Sequence, residues 1–268
     1  MKRTLLIAFL IALCLTPLIW TLLASFDLMP VDLYSSFTWD LKPSLEGYRE
    51  IGVEEPMFLL ELLTSAGLSA FTTVLTLIVA LLAAYGIARS RLRRRRLLVQ
   101  SLMVLASLPV ISYLIPLRNV LVSLRLYDTF AGTMCAETAM YAPLAAYVLF
   151  GYLSSLPSEP EECARIEGAS TLQIFCRITL PSLVYPVAAT AIIVFVLSWN
   201  HVLMPLILKT PVKTVPVAMI DFFVVERELE WPTAAAALIV SLMPIVVFVA
   251  VAHRWLELFS LIGAEESE

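Results

Sequence analysis

What constrains this chain most is the length of its apolar runs. Six stretches, Thr4 to Phe26, Leu62 to Ala88, Leu97 to Leu117, Phe130 to Tyr152, Leu183 to Leu208 and Thr233 to His253, each continue for more than twenty residues with few charges. A helix rising 1.5 Å per residue needs about 20 such residues to cross a bilayer. A soluble protein with a large core would break its apolar runs with polar faces at helix or strand length, and these runs are not broken in that way. Composition agrees, with 60% hydrophobic residues, 15% charged and a mean hydropathy of +0.89, against about 45–50% and roughly 25% for an ordinary soluble domain. The expected fold is all-α: one domain over residues 1–268, built as a polytopic membrane bundle of six transmembrane helices. Pro109, Pro116 and Pro205 fall in the third and fifth stretches and are expected to kink them, which neighbouring helices in a bundle can tolerate.

Lys and Arg set the expected orientation. With the N-terminus inside, eleven of the 18 basic residues lie on the inner side, six of them in the short loop RSRLRRRR (89–96). Dense basic charge beside membrane spans favours the cytoplasm, so this run reads as a topology signal rather than a nucleic-acid site. Both termini are then cytoplasmic, in the inner or plasma membrane of a cell. The first outer loop, Asp27 to Glu61, holds eight acids against Lys42 and Arg49. It is either a solvated loop or a surface for an outside partner. Asp221, Glu226, Glu228 and Glu230, with Arg227, form a second acidic outer segment. Met1 to Ala24 has the basic start of a signal peptide, but its apolar core outruns the ~15 residues usual there and contains Pro17 and Trp20. It reads as a retained span.

Chemistry of several kinds is excluded. No GxxxxGK[ST] phosphate loop is present, so ATP-driven work must come from another subunit. The two histidines, His201 and His253, fall near opposite ends of spans. Cys14, Cys135, Cys163 and Cys176 have no metal-ligand spacing and face a reducing compartment, which argues against zinc or disulfides. Glu137 is the one acid well inside a span, and such a residue is a candidate for a solute pathway. It lies about two turns from the outer end, so a side chain reaching towards water there is the alternative.

The remaining polar segment, SEPEECARIEGASTLQIFCRITLPSLVYP (158–186), is longer than a connector needs to be. Ser158 with Glu161, and Ser170 with Gln173, each have capping-box spacing, so two short helices are expected, Glu159 to Glu167 and Thr171 to Thr179. Gly168 between them permits a positive φ and close helix approach, and Pro181 is expected to end the second helix. The second helix would present Leu172, Phe175, Cys176 and Ile178. Such a pair suits either a groove on another protein or the lipid surface.

These residues resemble a family. EECARIEGASTLQIFCRITLP is similar to the EAA loop of ABC importer permeases, with Glu162, Cys163, Ala164, Gly168, Leu180 and Pro181 at the matching positions. Cys163 stands where Ala is usual and Glu167 where Asp is common. SWNHVLMPLIL (198–208) resembles the segment ending the fifth span in carbohydrate importer permeases of the maltose and glycerol-phosphate type. SLEGYREI (44–51) and the tail SLIGA (260–264) agree, although His201 replaces a frequent acid and EESE replaces a basic end. The resemblance implies a permease subunit of a binding-protein-dependent importer, for a sugar or oligosaccharide or for another small solute such as a polyamine, an anion or glycerol-phosphate. It implies a second homologous permease, two ATP-binding subunits that carry ATP and magnesium, and an extracytoplasmic solute-binding protein. This chain is then not itself an enzyme. Residues 153–182 would be the coupling loop, with Glu162, Cys163, Ala164, Glu167, Gly168, Ala169, Leu180 and Pro181 at the ATPase contact. Glu137, Tyr141, Trp199 and Asn200 are candidates for the solute pathway. An ion-coupled secondary transporter or an intramembrane enzyme is disfavoured by the scarcity of buried ionisable groups and the lack of any closely spaced catalytic set.

Overall fold

The computed structural model describes residues 2–28, 43–54, 56–90, 93–224 and 231–265. The segment 29–42, Arg91 and Leu92, the acidic run with Glu226, Arg227, Glu228 and Glu230, and the last three residues lie outside the described residues. Every regular element among the described residues is helical. In chain order these are α1 (Lys2–Ser25), α2 (Glu46–Arg49) leading into a wide π-type turn at Glu50–Glu54, α3 (Pro56–Arg89), α4 (Arg95–Ala106) and α5 (Val110–Ser123). There follow α6 (Phe130–Ser155), α7 (Glu159–Ile166), α8 (Thr171–Ile174), a second wide turn at Phe175–Thr179 and α9 (Leu180–Ser182). The chain continues with α10 (Val184–Trp199), α11 (Leu203–Leu208), α12 (Val215–Val224) and α13 (Trp231–Glu265).

Two helical segments, Met57–Arg89 and Trp231–Arg254, are long and apolar enough to cross a membrane unaided. Three further pairs qualify when each is taken together: Arg95–Ala106 with Val110–Ser123, Phe130–Ser155 with Glu159–Ile166, and Thr171–Ser182 with Val184–Trp199. They bend by 94°, 79° and 78°, and α1 adds the shorter apolar segment Phe9–Ser25. Apolar side chains such as Phe9, Leu13, Val104, Ile111 and Ile115 stand exposed. Water-soluble monomers rarely leave continuous apolar surface of this extent open. The chain is a helical membrane protein.

One proline acts more strongly than expected in the third stretch, while the other, Pro116, lies inside α5 without ending it. Pro109 does not kink a continuous helix; it sits in extended conformation (φ −61°, ψ 128°) as the residue that opens α5, and the two halves meet at 94°. Its missing N–H cannot continue the α4 ladder, and the residue before a proline is pushed out of helical conformation. The fifth stretch is likewise interrupted after Trp199, and Pro205 falls in the first turn of α11, where the absent donor costs least. Pro17, Pro143 and Pro244 lie inside α1, α6 and α13 without ending them.

The chain divides into two compact units, Met1–Ser65 with Val212–Val246, and Ala66–Pro211 with Val247–Glu268. In the first, Ile51, Phe58, Val215, Met219, Ala236 and Ala237 form a buried cluster. Polar contacts tie it together. The Val215 amide donates to Ser65 Oγ at 2.7 Å, Ser25 Oγ and the Tyr48 hydroxyl are 2.8 Å apart, and Thr233 donates to Glu50. Gly47 explains part of the SLEGYREI signature: a Cβ there would lie 2.9 Å from the Pro232 carbonyl carbon.

In the second unit, α3 offers Ala80, Ala84 and Ala88 at helical spacing to a cluster with Ala145, Ala146, Leu149 and Leu153 of α6. Small residues let helix backbones approach closely, which matters in lipid because burying leucine there gains little over leaving it in the acyl chains. The Arg95 guanidinium lies 4.7 Å from the centre of the Phe150 ring and donates to Ser154 Oγ at 2.8 Å, which fixes α4 against α6. A second cluster joins Leu114 and Leu121 of α5, Ala136 of α6, and Met204 and Leu208 of α11.

Candidate functional site

The polar segment 158–186 folds as the expected pair of short helices, with three local differences. First, the capping box at Ser158 does not form. Ser158 has helical backbone angles (φ −90°, ψ −12°) and makes no cap hydrogen bond. An N-cap needs extended angles to aim its oxygen at the third amide. The Ser158 hydroxyl instead donates to Glu162 Oε1 at 3.1 Å, and the acid that should complete the box, Glu161, is engaged elsewhere. At Ser170 the box is complete: the Gln173 amide donates to Ser170 Oγ at 3.3 Å and the Ser170 amide to Gln173 Oε1 at 2.8 Å.

Second, Gly168 has a positive φ of +91°, as expected, but makes no close approach: a Cβ there would meet nothing within 4 Å. Its role is to end α7. The Ala169 amide donates to the Ala164 carbonyl at 2.9 Å and the Gly168 amide to the Arg165 carbonyl at 3.2 Å. This is the Schellman pattern that satisfies the last carbonyls of a helix and asks for glycine at the left-handed position. Third, Pro181 does not terminate the second helix, which continues to Ser182. The wide turn Phe175–Thr179, closed by the Leu180 amide on the Phe175 carbonyl, relaxes the α ladder just where the proline ring would collide with it. The chain bends at Leu183 instead (φ −105°, ψ 10°).

The pair therefore lies across its flanking helices, turned 79° from α6 and 78° from α10. Its inner side is buried: Glu161, Ile174, Phe175 and Thr179. Phe175, expected among the presented residues, packs edge-on against Tyr85 at 5.0 Å. Its outer side exposes Glu162, Cys163, Glu167 and Cys176, with Ile166 at 87% and Leu172 at 69% exposure. Ala164, Ala169, Ile178 and Leu180 are half-buried, Leu180 against the α3–α6 cluster, and Pro181 is exposed.

One site residue was missed from the sequence. Glu161 is only 4% exposed, and its carboxylate accepts from Arg89 Nη2 at 2.8 Å, Arg89 Nε at 3.0 Å and Thr179 Oγ1 at 3.0 Å, with the Tyr85 hydroxyl at 3.4 Å. The available signal was Tyr85 and Arg89, four apart on one face at the end of a span and followed 72 residues later by adjacent acids.

A second polar centre lies among α3, α6 and α10. Glu137 is wholly buried, so its side chain does not reach out towards water as the alternative reading had it. Ser198 Oγ donates to its Oε2 at 2.5 Å and Thr72 Oγ1 at 3.4 Å. Its other oxygen, Oε1, and the hydroxyls of Thr76 and Thr138 are buried with no protein partner. Tyr141, one turn further on, is buried and donates to the Leu197 carbonyl at 3.1 Å, with the His201 ring edge-on at 6.2 Å. Of the other expected pathway residues, Trp199 is buried and stacks on Phe195, which stacks on Phe248. Asn200 is exposed and caps α10, its amide donating to the Val196 carbonyl at 2.8 Å. The structure thus joins Glu137 to Ser198 beside the Trp-Asn segment, while Trp199 and Asn200 themselves make packing and capping contacts. Among the described residues no group of three His, Cys, Asp or Glu is placed to hold a metal ion.

Known proteins share both the sequence and the fold. Residues 76–258 match the family of binding-protein-dependent transport system inner membrane components. The trehalose transport system permease protein of Mycobacterium tuberculosis is 31% identical over 87% of this chain and 90% of its own length. The trehalose/maltose transport system permease protein of Thermococcus litoralis is 30% identical, covering 100% of this chain and 98% of that protein. A crystal structure of a bacterial ABC transporter involved in import of the acidic polysaccharide alginate contains a chain of the same fold. Its TM-score is 0.74 at 17% identity, with 95% of each chain covered. With more than half its length matched by the family model and full-length relatives at this identity, the chain belongs to the family of binding-protein-dependent transport system inner membrane components.

Proposed function

We propose that this chain is the permease subunit of an ATP-driven, binding-protein-dependent importer of a sugar or oligosaccharide. The observation that carries the reading is the helix pair α7–α8: set nearly square to its flanking helices, anchored on its inner side, and open on its outer side with Ile166 and Leu172 among acids. A short rigid pair with exposed apolar tips fits a groove on a partner. The partner is the ATP-binding subunit, two copies of which would carry ATP and magnesium. A second homologous permease completes the membrane domain, and an extracytoplasmic binding protein delivers the solute. Hydrolysis belongs to the ATP-binding subunits.

In this reading α1, α3, α4–α5, α6, α10–α11 and α13 are the six spans, and both termini and the helix pair are cytoplasmic, the side that the distribution of Lys and Arg favours. Glu162, Cys163, Ala164, Glu167, Gly168, Ala169, Leu180 and Pro181 form or shape the ATPase contact. The free oxygen of Glu137 and the neighbouring hydroxyls border the solute route, where a carboxylate oxygen can accept from a sugar hydroxyl. The names of the relatives at 30–31% identity, which specify trehalose and maltose transport, support the substrate class. Purified cognate binding protein, titrated calorimetrically with mono- and disaccharides, polyamines and inorganic anions, tests it. Saturable binding of a sugar, and stimulation by that loaded protein of ATP hydrolysis in the reconstituted complex, are expected. Binding of a polyamine or anion instead would overturn the sugar assignment.

A further inference from the structure

We infer that the pair formed by half-buried Arg89 and buried Glu161, with Thr179, is a rigid joint that carries displacement of the helix pair into α3, which makes Arg89 and Glu161 positioning residues for energy coupling. This rests on the reading that the ATP-binding subunit engages the helix pair. Three separate segments meet at one carboxylate: the last residue of α3, the third residue of α7 and the end of the wide turn after α8. Both carboxylate oxygens are occupied, Oε1 by Arg89 Nη2 and Thr179, and Oε2 by Arg89 Nε, with the Tyr85 hydroxyl further off. A guanidinium held through two of its nitrogens is fixed in plane and in rotation, which a lysine ammonium is not. Below it the Tyr85–Phe175 contact and the fully buried Leu153 and Leu183 close the same corner.

The energetics point the same way. A buried ion pair gains little net stability over well-packed apolar residues, because desolvation of two charges offsets their attraction. Its distinctive property here is geometry. The side of α7 turned away from Glu161 exposes Cys163 and Ile166, so a push delivered there is passed on to the joint. Without it, α7 keeps the short link Leu156–Ser158 to α6 and its packing against α8 and the wide turn, and movement would be taken up by loop backbone rather than by α3.

The test uses the complete importer in proteoliposomes with its loaded binding protein. Glu161→Gln keeps shape and the Thr179 bond but loses the charge, and Arg89→Lys keeps the charge but loses the fork. Both are expected to copurify the ATP-binding subunit at the wild-type level yet move about tenfold less solute per ATP hydrolysed. A role confined to stability would lower the amount of complex and leave that ratio unchanged. Wild-type ratios in both variants would overturn the joint while leaving docking intact, whereas an ATP-binding subunit that fails to copurify with the unaltered chain would remove the docking reading. A second measurement needs no partner. With the other three cysteines replaced, spin labels at Cys163 and at Leu82→Cys on α3 should give one narrow distance in the otherwise unaltered chain and a broadened one in Arg89→Lys. A broad distribution before the Arg89 change would also overturn the proposal.

Discussion

Replacing Gly168 separates two explanations of why glycine stands there. If glycine were needed for space, Leu would be far worse than Ala. The surroundings within 4 Å of a Cβ at this position are empty, however, and φ is +91°. The cost of any L side chain is then the backbone strain alone, about 1–2 kcal/mol, and nearly the same for Ala and Leu. That strain falls on the two hydrogen bonds that close α7, from Ala169 to Ala164 and from Gly168 to Arg165. A loss of 1–2 kcal/mol changes a local open-to-closed ratio by roughly 5–30-fold. Hydrogen exchange followed by mass spectrometry over residues 159–182 should therefore show the Ala169 amide exchanging faster by that factor in Gly168→Ala and in Gly168→Leu alike. Gly168→Asn should be less affected, because Asn tolerates left-handed angles better. Binding-protein-stimulated ATP hydrolysis is expected to fall in the same order. Exchange in the Leu variant far beyond that in the Ala variant would refute the strain argument and restore one based on packing.

Three further outcomes follow from contacts described above. Glu162→Lys should leave the chain folded, since Glu162 is exposed and accepts one hydrogen bond, from Ser158, among the described residues, but should weaken copurification of the ATP-binding subunit; undiminished association would remove Glu162 from the contact. Glu137→Ala deprives the Ser198 and Thr72 hydroxyls of their buried acceptor, at a cost of about 1–3 kcal/mol. Thermal unfolding in detergent should show a lowered midpoint, which Glu137→Gln largely restores. Gly47→Ala would place a Cβ 2.9 Å from the Pro232 backbone; such overpacking costs about 1–3 kcal/mol, visible as a lower unfolding midpoint, whereas Gly52→Ala, which meets nothing within 4 Å, should show no comparable loss.

Local rules read the chain well where the cause was local. Apolar length marked where the long helices run, and the Ser170–Gln173 box and the positive φ at Gly168 follow from side chains within four residues of the feature. The same rules failed at Ser158 because Glu161, the residue they assign to the cap, is claimed by Arg89, 72 positions earlier in the chain. Pro181 misled for a related reason, since a proline ends an α ladder only if the preceding turn is α, and here it is wider. Periodicity could not settle whether Glu137 faces inward, because α6 is apolar nearly all round and only its neighbours Thr72 and Ser198 decide the rotation. The family resemblance was legible throughout, yet it pointed to the exposed Glu162 rather than to the buried acid beside it.

The wide turn at Phe175–Thr179 also sets a phase. A π-type turn takes up one residue more than α spacing allows, so it acts as a single-residue insertion that the helix has absorbed. Each residue of α-helix advances the chain by about 100° around its axis. Were the five residues 175–179 wound as regular α-helix instead, everything downstream would swing by about that angle relative to α8. Thr179 would then leave Glu161, and Leu183, now at the bend, would be carried round with it. The length of this one turn is thus an indexing device for the helix that follows: removing one of its residues, with a return to α winding, should leave the downstream phase nearly where it is.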